Sequence, residues 1–136
     1  MDTGPLFALL YDRDSKNGMA VAILEELEDA DAEISCAYPA ALEAHRLMLN
    51  RAVVTVNYAH ALIADALEIF SPTMPTREDV AEATESLKRF SDQKITLADA
   101  TIAAMARREQ QLVFTFDERQ RHFQLMGAAV YKDSAP

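Results

Sequence analysis

The stretch SDQKITLADATIAAMARREQQLVFTFDERQRHF, residues 91–123, decides the fold. Thr96 followed three positions later by Asp99 is a capping-box pattern, so a helix opens there and continues through the small, apolar run Ala100–Arg108. Leu112–Phe116 is too short for a helix and reads as an apolar strand. Asp117 follows directly, then a short helix from about Glu118 to Met126, a break at Gly127, and a last strand over Ala128–Tyr131.

The same alternation runs upstream. Thr76 with Asp79 repeats the capping pattern and opens a helix to about Phe90. Leu67–Phe70 reads as a strand closed by Ser71-Pro72, preceded by a helix from Val54 to about Leu67. Pro39 suits the first turn of a helix that carries Leu42, Glu43, His45, Arg46 and Leu49. Glu33–Ala37 alternates and reads as a short strand. Gly18–Asp29 is amphipathic, Asp12–Asn17 is a polar loop, and Asp2–Pro5 is a turn leading into a short helix through Leu6–Leu10. Helices alternating with short apolar strands imply a small parallel sheet flanked by helices on both faces, an α/β sandwich.

A length of 136 residues fits a single domain over 1–136. Half of the residues are apolar, which excludes a disordered acidic segment. The lone Cys36 excludes a disulfide framework and suits a reducing compartment. No apolar run approaches the roughly 18 residues of a membrane span, and no basic segment leads into an apolar stretch at the N-terminus. A cytoplasmic location is the expectation. Thirteen basic residues against 22 acidic ones give a net charge of −9, which on average repels a polyanion. The distribution is uneven: Glu25–Glu33 is an acidic block, whereas most of the Lys and Arg residues lie in the later part. Either block, taken alone, is an ordinary solvated helix face.

Ligands of a parallel sheet sit beyond the carboxyl ends of its strands. Four acids from separated segments fall near such ends: Asp2, Glu43, Asp99 and Asp117. Singly, each has an ordinary explanation. Asp2 and Asp117 suit N-caps, Asp99 is the capping partner of Thr96, and Glu43 suits an i,i+3 pair with Arg46. As a set they would repel one another unless a cation stood between them. Mg²⁺ or Mn²⁺, hard ions that take oxygen ligands, answer that need, and one or two of them would activate water at a phosphodiester. With one cysteine and with His45, His60 and His122 scattered, zinc is the poorer choice. Thr3 and Thr115 flank two of the acids and could orient ligands, or serve only as cap and strand hydroxyls.

On these residues the chain resembles the PIN-domain ribonucleases, particularly the VapC-like toxins of toxin–antitoxin pairs. The resemblance lies in DTGPL at 2–6, Glu43, TLADA at 96–100 and TFD at 115–117 with Phe123 after it. From Leu49 to Phe90 it rests on the order of elements alone. It implies a PIN-like three-layer sandwich in which Asp2, Glu43, Asp99 and Asp117 bind the metal and catalyse RNA hydrolysis, with Asp92 as a possible outer acid. Arg46, Lys94, Arg107, Arg108, Arg119 and Arg121 are the candidates for holding the RNA backbone. The resemblance further implies a cognate antitoxin and a homodimer, with the Met19–Leu27 and Val53–Leu67 faces as candidate surfaces or simply core. In the family an apolar central strand precedes the first aspartate, whereas here only Met1 does, so the first strand reads as truncated and more apolar residues are expected upstream. A catalytically inactive PIN-like binding module is the alternative. A phosphoacceptor receiver domain fits poorly, because Asp2 has no acidic neighbour and the stretch ending at Phe70 closes in Ser71-Pro72 with no aspartate.

Overall fold

The computed structural model describes residues 1–51 and 54–131, and for Asp117 and Glu118 the backbone alone. Its order is α1 (Thr3–Leu10), α2 (Asn17–Asp29), β1 (Cys36–Ala37), α3 (Tyr38–Asn50), α4 (Val56–Ile69), β2 (Pro72–Thr73), α5 (Arg77–Arg89), α6 (Leu97–Glu109) and α7 (Asp117–Leu125). The chain divides into two compact units, one formed by Met1 with Thr3–Thr73, the other by Asp2 with the residues from Met74 onward. No described helix is long and apolar enough to cross a membrane.

In the first unit, α1 packs on α2, α3 and α4. It is apolar almost all round, so it is buried rather than half-exposed, with Leu6, Phe7 and Ala8 in the core. Alanines 40, 41 and 44 line the buried side of α3, with Met48 one turn further on. Their small side chains let neighbouring helices approach closely. Pro39 sits in the first turn of α3, where a missing N–H leaves no helix bond unmade. Thr55 caps α4 by accepting the N–H of Tyr58 at 3.2 Å. Strands β1 and β2 pair in parallel, Cys36 opposite Pro72 and Ala37 opposite Thr73. Burial pushes the Cys36 thiol up, against a smaller opposing pull from the N-terminal amine, so this cysteine fills space as a neutral apolar group.

Three expectations need correction here. The helix expected to end near Leu67 runs through Ile69, and the strand placed at Leu67–Phe70 is instead Pro72–Thr73. Ala59 and Ala66, two turns apart, are both buried while Ile69 is exposed, so a helical period governs this segment. Ser71, at φ 31°, then turns the chain out of the helix. The strand expected over Glu33–Ala37 is paired only at Cys36–Ala37. The turn expected at Asp2–Pro5 is already helix from Thr3, because Pro5 is tolerated in a first turn.

In the second unit, α5 packs along α6, and α6 meets α7. Both expected capping boxes form: Thr76 with Asp79 and Thr96 with Asp99 each exchange two side chain–backbone bonds. Every residue from Asp99 to Ala106 is buried, which small side chains in series make possible. Phe123 is completely buried, and Phe114, Phe116 and Met126 are buried with it. Gln110 takes the left-handed conformation at the end of α6, φ 54°, and Gly127 does so after α7, φ 78°. The strands expected at Leu112–Phe116 and Ala128–Tyr131 do meet in parallel, but through one bridge, Val113 opposite Val130. Asp2 joins this unit through its N–H, which donates to the Phe114 carbonyl at 2.9 Å.

Asp79 is buried and grips Arg108 by two points, Nε to Oδ1 at 3.1 Å and Nη2 to Oδ2 at 2.9 Å. Burial alone would push the Asp79 carboxyl up; the bonds from Arg108 and Thr76 and the charge of Arg108 outweigh it and hold the carboxyl below its ordinary value. A group lowered in the folded state stabilises fully above its unfolded value, about pH 4, and that contribution is lost as pH falls through the folded value. The stability difference between the native chain and Asp79→Asn, measured by urea unfolding, is therefore expected to shrink steadily below about pH 4. Separately, Phe123→Ala is expected to cost about 3–5 kcal/mol in the same assay at neutral pH, because it empties a fully enclosed ring site.

Candidate active site

Two of the four motif acids lie in the second unit with described side chains. Asp2 is 2% exposed. The hydroxyl of the fully buried Thr115 donates to Asp2 Oδ2 at 2.8 Å, tying the opening DTGPL motif to the TFD motif 113 residues away. Asp99 is also buried, in the first turn of α6, where its N–H donates to Thr96 Oγ1 at 3.0 Å. Its Oδ2 accepts the Thr96 N–H at 3.4 Å and Arg119 Nη1 at 2.8 Å. Asp117 is the first residue of α7, with Phe116 at the cap position, so the expected N-cap role is not the one its backbone takes. Its side chain lies outside the described set.

The remaining acid belongs to the first unit. Glu43 is half-buried on α3, and its Oε2 accepts the Thr3 hydroxyl at 2.7 Å. The bond seen is therefore not the i,i+3 pair with Arg46 that spacing alone allows, because Thr3 at the start of α1 presents a donor to it. Thr3 and Thr115 thus act alike: each hydroxyl donates to an acid and fixes its orientation.

These groups suit a hard divalent cation. The donors are carboxylate and hydroxyl oxygens, and a buried carboxylate needs compensating charge. Among the described residues no group of three or more Asp, Glu, His or Cys side chains stands together so as to hold a metal ion. Mg²⁺, which keeps several waters, does not require a closed protein cage.

The other candidates separate clearly. Asp92 is exposed and takes Gln93 Nε2 at 3.3 Å. Arg107 pairs with Glu82 and Arg108 with Asp79 and Glu109, so these two brace α5 and α6. Arg46, Lys94 and Arg121 are exposed. Arg119, one of the candidates for the RNA backbone, is bonded to Asp99. The histidines are less scattered than their numbering suggests, since His45 Nε2 and His60 Nδ1 lie 2.9 Å apart across α3 and α4. Nothing in the spacing of 45 and 60, on two separate helices, announces that meeting. An open cavity of about 410 Å³ in the second unit, lined by Arg107, Gln110, Leu112 and Gly127 among others, contains none of the four acids.

Comparison with known proteins supplies the context. The sequence profile of the PIN domain matches residues 1–124. No curated protein sequence matches the chain. Among solved structures, the chain is similar to VapC20 of Mycobacterium tuberculosis, a toxin described as cleaving the sarcin–ricin loop. The TM-score is 0.74 at 21% identity, over 96% of this chain and 95% of that one, a likeness of fold. A profile running from Met1 to Gln124 takes in the opening DTGPL, the TLADA helix start and the TFD element together, and on that ground the chain belongs to the PIN-domain family.

Proposed function

We propose that this chain is a Mg²⁺- or Mn²⁺-dependent endoribonuclease and the toxin of a type II toxin–antitoxin pair, acting as one PIN-like domain over residues 1–136. The observation that carries the reading is the 2.8 Å bond from Thr115 to Asp2, which joins the first and last of the family's acid-bearing motifs through a buried hydroxyl–carboxylate pair. In this reading Asp2, Glu43, Asp99 and Asp117 hold the cation, and Thr3 and Thr115 orient Glu43 and Asp2. The bound cation would lower the pKa of a water and stabilise charge developing on the phosphodiester.

The chain's own part is positioning. The capping box holds Asp99 at the start of α6, where the N-terminal end of the helix favours negative charge. Exposed Arg46, Lys94 and Arg121 are assigned to the RNA backbone, which offsets an overall charge that opposes nucleic acid. Arg107 and Arg108 are assigned a lesser share because acids of their own unit engage them. A cognate antitoxin, a homodimer and a cytoplasmic setting complete the proposal, with the α2 and α4 faces as candidate surfaces; Val53, at the edge of the second, lies outside the described residues. A second reading has one observation behind it. The Arg119–Asp99 pair neutralises an acid without any metal, as a non-catalytic PIN module would also allow.

Cleavage of an RNA by rigorously purified protein, with and without Mn²⁺, tests the proposal. Asp99→Asn and Glu43→Gln are each expected to lower the metal-dependent rate at least about 100-fold while circular dichroism stays native, a loss on the scale of removing one strong electrostatic group from a site. Undiminished cleavage by both variants would end the nuclease assignment. Mn²⁺ binding without cleavage of any RNA offered would favour the non-catalytic module.

A further inference from the structure

Asp79 and Asp99 occupy equivalent places. Each is the third residue of a helix, each closes a capping box with a threonine, and each accepts a bond from an arginine. The two arginines hold their acids differently. Arg108 forks onto Asp79 through Nε and Nη2, the two-point geometry that makes such pairs strong. Among the described residues, Arg119 meets Asp99 at one point, Nη1 to Oδ2. The Asp99 side chain is 4% exposed and that of Arg119 43%, so the acid is fixed in the interior while much of the guanidinium is in water.

Position adds to the contrast. Arg108 lies in the last turn of α6, where the helix end favours a cation. Arg119 lies in the first turn of α7, where it does not. The contact with Asp99 helps to offset that unfavourable placement, and another cation at Asp99 would remove it.

We infer that Arg119 is the resident counter-cation of the acid site, holding Asp99 when no divalent ion is bound and yielding it when one is. The inference rests on the metal-binding reading of Asp99 given above. Metal loading is then an exchange of a +1 side chain for a +2 ion, and Arg119 sets the cation concentration at which the site fills.

Calorimetric titration of the full chain with Mn²⁺ alone, without RNA, tests this. Arg119→Gln is expected to bind Mn²⁺ about three- to tenfold more tightly than the native chain, the scale of a part-exposed ion pair removed as a competitor. Arg119→Lys should fall between the two. Arg89→Gln, which deletes the same charge from the exposed end of α5, should leave the affinity unchanged, so that a general effect of net charge is separated from competition at Asp99. A thermal melt of each variant establishes that it is folded. Equal or weaker Mn²⁺ binding by Arg119→Gln, with native binding intact and lost in Asp99→Asn, overturns the exchange but leaves the metal site standing. Equal tightening in Arg89→Gln also overturns it. Absence of Mn²⁺ binding from both the native chain and Arg119→Gln overturns the exchange and the metal reading together.

Discussion

A carboxylate taken out of water must be compensated, and among the described residues of the second unit three aspartates are out of water. Asp2, Asp79 and Asp99 are all buried, and the bonds described for them differ. Asp79 has a capping threonine and a forked guanidinium, and its carboxyl is held low. Asp99 has the same cap and a single-point guanidinium. Asp2 accepts the hydroxyl of Thr115, a neutral donor. A buried charge is costly unless paired and hydrogen-bonded, and the forked guanidinium of Arg108 meets that need at Asp79 as a structural clamp.

The helices around these acids are built to permit their burial. An unbroken buried run from Asp99 to Ala106 depends on alanines that occupy little space on several sides of α6. The capping boxes place Asp79 and Asp99 by local bonding, so neither needs a long-range contact to find its position at a helix start. Longer reach enters with Arg108, Arg119 and Thr115, which bring a charge or a hydroxyl from elsewhere in the chain. In the first unit, Thr3 does the same for Glu43 across 40 residues.

Much of the helical content was legible because helix signals are local. Thr76/Asp79, Thr96/Asp99 and Pro39 each mark a start by bonding or sterics within one turn. Strands were legible less well. Leu67–Phe70 is apolar and β-compatible, yet it finishes a helix, because short apolar runs carry no decisive period and the buried alanines of α4 extend the helical one. The runs at 112–116 and 128–131 read as strands of a parallel sheet, but only tertiary geometry decides that they meet, and only through Val113 and Val130. Of the site, the four acids were nominated from motif and order. Spacing marks Thr3 and Thr115 as hydroxyls able to orient ligands but not which acid each one serves, and it gives no sign that Arg119 attaches to Asp99.

By itself the sequence determined where α3, α5 and α6 begin, that Asp79 and Asp99 stand at the starts of the last two, and the family to which the motif order belongs, since these rest on contacts within a turn or on linear order. Tertiary structure alone decided which partner each acid receives: Thr115 for Asp2, Thr3 for Glu43, Arg108 for Asp79 and Arg119 for Asp99. A hydrogen bond is made or lost over about an ångström, and linear spacing does not specify position that finely between groups twenty to more than a hundred residues apart.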